Sequence, residues 1–253
     1  MEHLEIAQRP DRAYRADRTD RALLPIAAPS RRTLLLGVGT LGAGLALGTG
    51  AATAAPPTLR KGSRGSAVSS LQQNLASLKY WLGAVDGSFG HMTQQSVFAL
   101  QKAAGLVADG VVGARTYAAI SRGVQPARRI TGGVGFEVDL RKQLLIATQG
   151  NIHYAFNTST GSGERYYSGG RWKTATTPKG DFRMYSLYSR GWQSGPLGNL
   201  YRPGYYDRGW AIHGSNSIPS YPASHGCCRL SVEATNMLWR WDWFVKGTRV
   251  LIY

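Results

Sequence analysis

The hydrophobic period of this chain changes once, near residue 132, and that change limits what the chain can fold into. Before it, Val68, Leu71, Leu75 and Leu78 recur at the spacing of one helical face, and Val97, Leu100 and Ala104 repeat the pattern. After it, Phe136, Val138 and Leu140 alternate with Glu137 and Asp139, the period of a half-buried strand. Leu144 to Thr148 reads as a second strand, Gly150-Asn151 as a hairpin turn, and Ile152 to Phe156 as the returning strand. Asp181 to Tyr188 and Arg208 to His213 read as further strands. The stretch between them carries Trp192, Tyr201, Tyr205 and Tyr206 among glycines and prolines, and reads as an irregular wall or lid of a groove. Beyond Leu230 the period is helical again. Ser231 is placed to cap, Glu233 falls in the first turn, Ala234, Leu238 and Trp241 share a face, and Arg249 to Tyr253 forms a last strand. The expected class is α+β: a mainly β portion over 133–253 with one C-terminal helix, after a small three-helix N-terminal portion over 57–123. Residues 124–132, with Pro126 and Arg128-Arg129, read as a linker.

The helical portion contains an internal echo. Asp86-Gly87-Ser88-Phe89-Gly90-His91-Met92-Thr93 returns 23 residues later as Asp109-Gly110-Val111-Val112-Gly113-Ala114-Arg115-Thr116. Each copy reads as a glycine-containing turn, a threonine N-cap and a helix. Upstream, Arg31-Arg32 precede an uncharged Leu/Gly/Ala stretch that ends in Ala52-Thr53-Ala54-Ala55. A basic pair, an apolar stretch and small residues at the exit make residues 1–55 an export signal, similar to twin-arginine signals and expected to be cleaved. Membrane attachment follows only if it is not. The expected location is the cell wall or the periplasm.

The chain carries a formal net charge of +16. Residues 56–253 keep 23 Lys+Arg against 9 Asp+Glu, so the basic character lies outside the signal. No Lys/Arg run exceeds two and no nucleic-acid motif is present, so nucleic acid is not the expected partner. Attraction to anionic cell-wall polymers suits an exported protein.

The chemistry concentrates at Ser224-His225-Gly226-Cys227-Cys228-Arg229-Leu230. The two cysteines are adjacent and cannot staple distant segments. Either they are inert packing residues or a thiol is kept for reaction. A second His-Gly pair, His213-Gly214, lies upstream, and a thiol with a histidine to deprotonate it is the minimum equipment for nucleophilic acyl transfer. Trp210-Ala211-Ile212-His213-Gly214, a short Pro/Ser loop, then Pro222-Ala223-Ser224-His225-Gly226-Cys227 resembles the signature of the L,D-transpeptidases. Thr158-Ser159-Thr160-Gly161 and Thr177-Pro178-Lys179-Gly180-Asp181-Phe182 are landmarks similar to that family's. The Asp-Gly-x-x-Gly-x-x-Thr echo, with Leu71-Gln72-Gln73 and Phe98-Ala99-Leu100-Gln101-Lys102, resembles the helical peptidoglycan-binding domain. A bare spacer remains the alternative for this portion.

The resemblance implies an enzyme in which Cys227 is the nucleophile, His213 the base, and the Gly214 carbonyl the group that orients it. It places His225, Gly226 and Cys227 on a sharp turn whose N–H groups, those of Gly226 and Cys227 above all, face the developing oxyanion. Ser224, Arg229 and Tyr201 are expected to contact substrate. Arg229 either pairs with a substrate carboxylate or holds the loop. Cys228 stands where the family has an aliphatic residue. It is expected to point inward, with oxidation to a strained ring with Cys227 the open question. Peptidoglycan stem peptides and glycan strands are the implied partners, and no cofactor or metal is expected. His213, His225, Cys227 and Cys228 together lack the spacing of a tetrahedral zinc site. The implied reaction passes through a thioester and ends in a 3→3 cross-link. The other readings are an L,D-carboxypeptidase, in which water resolves the thioester, and a non-catalytic wall-binding protein.

Overall fold

The computed structural model describes residues 56–253, and the proposed export signal lies outside them. The described residues belong to one compact unit. None of their helices is long and apolar enough to cross a membrane.

Three helices open the fold: α1 (Ser66–Ser77), α2 (His91–Ala103) and α3 (Ala114–Ser121). Val68, Leu71 and Leu75 are buried on α1, and Val97 and Leu100 on α2, as the helical period requires. The echo has a specific physical basis. Gln72 donates to the Asp86 carboxylate (2.8 Å) and to Thr93 Oγ1 (3.0 Å), while its carbonyl accepts the N–H of Gly87 (2.9 Å). Gln101 repeats this with Asp109 (2.8 Å), Thr116 (3.3 Å) and the N–H of Gly110 (3.0 Å). Gly87 and Gly110 share a φ of 73°, a region that glycine alone enters freely. The threonines are therefore not N-caps. Gly90 and Gly113 hold that position, and Thr93 and Thr116 sit in the first turn, drawn inward by the buried glutamines.

The β portion packs two sheets. The first has the order β3-β2-β1-β12-β6, from β1 (Val134–Asp139), β2 (Leu144–Gln149), β3 (Ile152–Asn157), β6 (Gly180–Arg183) and β12 (Arg249–Ile252). Only the β1–β12 pair in it is parallel. The second runs β11-β10-β9-β7, with β8 on β9: β7 (Ser186–Leu187), β8 (Trp192–Gly195), β9 (Gly198–Asp207), β10 (Trp210–Ser215) and β11 (Cys228–Ser231). A separate hairpin pairs β4 (Arg165–Ser168) with β5 (Arg171–Thr174). Phe136, Val138 and Leu145 of the first sheet meet Ile212, Cys228 and Leu230 of the second, with Ala234 and Leu238 from α4 (Val232–Arg240). A leucine or phenylalanine buried there contributes about 1.5–3 kcal/mol. Ser231 caps α4 by accepting the Ala234 N–H at 3.0 Å, as its sequence predicts.

Three further expectations are corrected. Glu137 is fully buried rather than outward-facing, because the N–H groups of Arg129 and Ile130 approach its carboxylate at 2.7–2.9 Å and cover that face of β1. The stretch read as an irregular lid contains strands β8 and β9. Arg202 at φ 46° and Pro203 break its alternation, and Gly204 is required because a Cβ there would lie 2.6 Å from Phe244. Trp241 ends α4 exposed, at 40 %, instead of joining Ala234 and Leu238 in the core.

The helices and the first sheet share structure. Lys79 O accepts the Ala155 N–H (2.8 Å) and Ala155 O accepts the Trp81 N–H (3.2 Å), so residues 79–81 extend the β3 edge. Leu144 and Ala155 pack in the cluster formed by the helices.

Candidate active site

The parallel pair β10–β11 builds the site. Its register sets Ile212 against Cys228 and His213 against Arg229. Partners across a ladder share a face and side chains alternate along it, so Ile212, Cys228 and Leu230 point into the core. His213 and Arg229 point to the other face, and Cys227 lies just before the strand, where the Arg229 charge acts on it as it does on His213. Position and burial separate the two thiols. Cys228 is fully buried, 3.8 Å from Tyr206 Oη, and burial pushes its thiol up to about 12. Cys227 is half-buried, with its sulfur 3.8 Å from Gly209 O.

His213 is 5 % exposed, and its Nδ1 lies 2.8 Å from the Gly214 carbonyl oxygen. That carbonyl can only accept, so Nδ1 carries the proton and Nε2 is left with its lone pair. Gly214 has to be glycine, since a Cβ there would press on Tyr201 at 2.9 Å. Burial, with Arg229 adding to it, lowers His213 to about 4, against the weaker opposing bond to Gly214. Burial raises the Cys227 thiol above its ordinary range, partly offset by a hydrogen bond from Ala211 and by Arg229. Both shifts favour the uncharged forms, imidazole and thiol. Arg229 acts on both groups, disfavouring protonated His213 and favouring the Cys227 thiolate.

The loop that carries Cys227 is held from below. Ser224 is 3 % exposed; its hydroxyl accepts the Gly226 N–H (3.0 Å) and donates to Cys227 O (2.7 Å). Its side chain braces the turn. The Gly226 N–H, an expected oxyanion donor, is engaged by Ser224, while the Gly226 carbonyl accepts from Thr177 Oγ1 at 2.7 Å. Gly226 has φ +134°, and a Cβ there would collide with Trp210 Nε1 and lie 2.8 Å from Thr176 O. His225 is exposed and meets the ring of Tyr166 edge-on, with centroids 4.7 Å apart. Tyr201 donates to Asn236 Oδ1 (3.0 Å) and packs on Trp192, so its hydroxyl is committed to α4.

Arg229 thus acts on both His213 and Cys227, Gly214 O bonds His213, and Ser224 bonds the Gly226 N–H and Cys227 O, while His225 is exposed beside Tyr166 and the Tyr201 hydroxyl bonds Asn236. Sequence reasoning gave no role to Thr177, Trp210 or Tyr166. Thr177 and Trp210 stood within the quoted motifs; Tyr166 had no signal at all. Among the described residues, no three His, Cys, Asp or Glu side chains are placed to share a metal ion.

Residues 64–120 match the family of peptidoglycan binding domains, and residues 134–252 match the L,D-transpeptidase catalytic domain. The chain is similar to a crystallised L,D-transpeptidase from Xylanimonas cellulosilytica, at 47 % identity and a TM-score of 0.75, over 79 % of this chain and 98 % of that one. An L,D-transpeptidase from Stackebrandtia nassauensis matches at 20 % identity and a TM-score of 0.45, over 77 % of this chain and 94 % of that one.

Proposed function

Since the chain belongs to the L,D-transpeptidase family, whose partner is peptidoglycan, we propose that Cys227 performs the acyl transfer through a thioester. The observation that carries this reading is the His213 Nδ1 to Gly214 O hydrogen bond of 2.8 Å, which leaves the Nε2 lone pair free on a strand paired with the one that Cys227 directly precedes. Nε2 takes the thiol proton as the sulfur attacks the carbonyl carbon of the third stem residue. The oxygen of that carbonyl becomes an oxyanion facing the N–H of Cys227, with the Gly226 N–H shared between it and Ser224 Oγ. The C–N bond then breaks, the imidazolium protonates the departing amine, and the terminal D-residue leaves. An amine of a neighbouring stem attacks the thioester and yields its proton to His213, and the thiolate departs. One peptide bond is lost and one is made.

The support for an amine acceptor is the family assignment, and products decide it. Purified tetrapeptide muropeptides incubated with the enzyme should yield cross-linked dimers joined 3→3. Tripeptides alone, with no dimer at high donor concentration, would identify a carboxypeptidase. Absence of any product would favour a wall-binding protein without activity.

The protein acts outside the cytoplasm in this reading, in the cell wall or periplasm, delivered by residues 1–55. Replacing Arg31 and Arg32 by lysine should abolish export; undiminished export would exclude the twin-arginine route.

A further inference from the structure

We propose that Lys102, on a helix outside the catalytic sheets, is a positioning residue for the Cys227 loop. The proposal rests on the assignment of Cys227 as nucleophile. Lys102 and Gln95 lie two turns apart on α2, on one face of the helix. That face packs on the end of β3. Lys102 is 8 % exposed, and its Nζ reaches three acceptors: Gln143 O at 2.9 Å, Thr158 O at 3.2 Å and the side-chain oxygen of Asn157. Three acceptors match the three hydrogens of an ammonium. The Asn157 amide in turn donates to Gln95 Oε1 (2.7 Å) and Ile218 O (3.2 Å), and Gln95 Nε2 donates to Ile218 O (3.2 Å).

The segment gripped in this way runs directly into the site. Thr158 Oγ1 donates to Arg229 O (2.8 Å), and Ser159 O accepts the Arg229 N–H (3.1 Å). Ser159 Oγ donates to Tyr221 O at 2.8 Å. Thr160 O accepts the N–H groups of Ala223 (3.0 Å) and Ser224 (2.9 Å). The Gly161 N–H donates to Thr177 Oγ1 (2.9 Å), the hydroxyl that holds Gly226 O. Every residue from Thr158 to Gly161 is therefore bonded to the nucleophile loop, to β11 or to the residue that holds Gly226. Lys102 anchors the start of that segment and, through Gln143, its middle, since the Gln143 amide donates to Thr160 Oγ1 (2.7 Å) and accepts the Thr160 N–H (2.9 Å).

The choice of residue supports a positioning role. Burial lowers Lys102 to about 7, and the three acceptors of its Nζ are neutral oxygens. An apolar side chain would fill this space without that desolvation cost, but it would not hold three oxygens of separate residues at fixed distances. A displacement of the reacting groups by about 1 Å can slow a reaction by roughly 10²-fold.

The test uses the full chain and single-turnover acylation of Cys227 by a tetrapeptide donor, well below each variant's melting temperature. Lys102→Met should reduce the acylation rate constant by at least about tenfold and leave donor affinity within about threefold, since positioning acts on the chemical step. Phe89→Leu, in the helical core but outside the chain of bonds, supplies the control. At a comparable loss of melting temperature it should acylate within about twofold of the parent, because stability alone does not set the rate of the folded enzyme. Gln95→Leu cuts the same chain at Asn157, should slow acylation too, and decides the question if Lys102→Met does not fold. A Lys102→Met or Gln95→Leu enzyme that acylates at the parental rate overturns the proposal, as does a Phe89→Leu enzyme slowed equally. Cys227→Ala separates this from failure of the assignment beneath it. If Cys227→Ala still acylates, the nucleophile is wrong; if it is dead while Lys102→Met is fast, only the positioning role falls.

Discussion

At the scale of single residues the site is a matter of position and burial. Burial depresses His213 from 6.5 to about 4 and raises Cys227 above 9.0. A histidine whose folded pKa is depressed stabilises the fold fully above 6.5, and that contribution is lost as pH falls through about 4. A thiol whose folded pKa is raised contributes stability below 9.0 and loses it as pH rises through its folded value. Alkylation of Cys227 in the free enzyme should accordingly keep accelerating through pH 9, read as a rate profile by peptide mass spectrometry. A plateau already reached by about pH 7 would indicate a preformed thiolate–imidazolium pair and contradict this electrostatic account. Gly226 is the most constrained backbone position of the loop. Gly226→Ala forces a Cβ against Trp210 and the Thr176 carbonyl at φ +134°. It should lower stability by about 1–3 kcal/mol and acylation by roughly 10²-fold, measured by denaturant titration and single-turnover rates. Parental values for both would show that the loop relaxes freely.

At the scale of elements, legibility followed periodicity. Helices α1 and α2 and strand β1 could be read because their apolar residues keep period 3.6 or 2, and β2 and β3 because a Gly-Asn turn joins two short apolar runs. β9 could not, because Arg202, Pro203 and Gly204 interrupt it, and Gly204 is dictated by Phe244 from a distant part of the chain. The outward reading of Glu137 failed for a related reason, since its partners come from a segment whose path no local pattern encodes. The echo in the helices was visible, but its cause was not: two buried glutamines, each bridging a turn to a helix. Gln101→Leu would leave the Gly110 N–H without its 3.0 Å acceptor and release the Asp109 carboxylate. Loss of about 2–4 kcal/mol is expected in urea unfolding, whereas the exposed Gln73→Leu should stay within about 0.5 kcal/mol. Equal effects at the two positions would remove the structural reading of the echo.

At the scale of the whole molecule, the sequence conveyed two portions with different periods but not the ladder that joins them. Residues 79–81 bond to Ala155, Leu144 packs among the helices, and Lys102 reaches into the sheet, contacts that pair residues 41 to 76 positions apart. Removing residues 57–123 would uncover the β3 edge and these apolar side chains. The shortened protein should melt well below the parent in a circular-dichroism scan, and an unchanged melting temperature would show the two portions to be independent. Cys227 was proposed as nucleophile from the motif, and the core-facing side of Cys228 follows from the β10–β11 register. The most direct test of the account is therefore the site of acylation. After brief exposure to a tetrapeptide donor and acid quench, peptide mass spectrometry should find the tripeptide acyl group on Cys227. The terminal D-residue should be released in equal amount, with the same outcome in Cys228→Val and no adduct in Cys227→Ala. An adduct on Cys228, or turnover that survives Cys227→Ala, would contradict it.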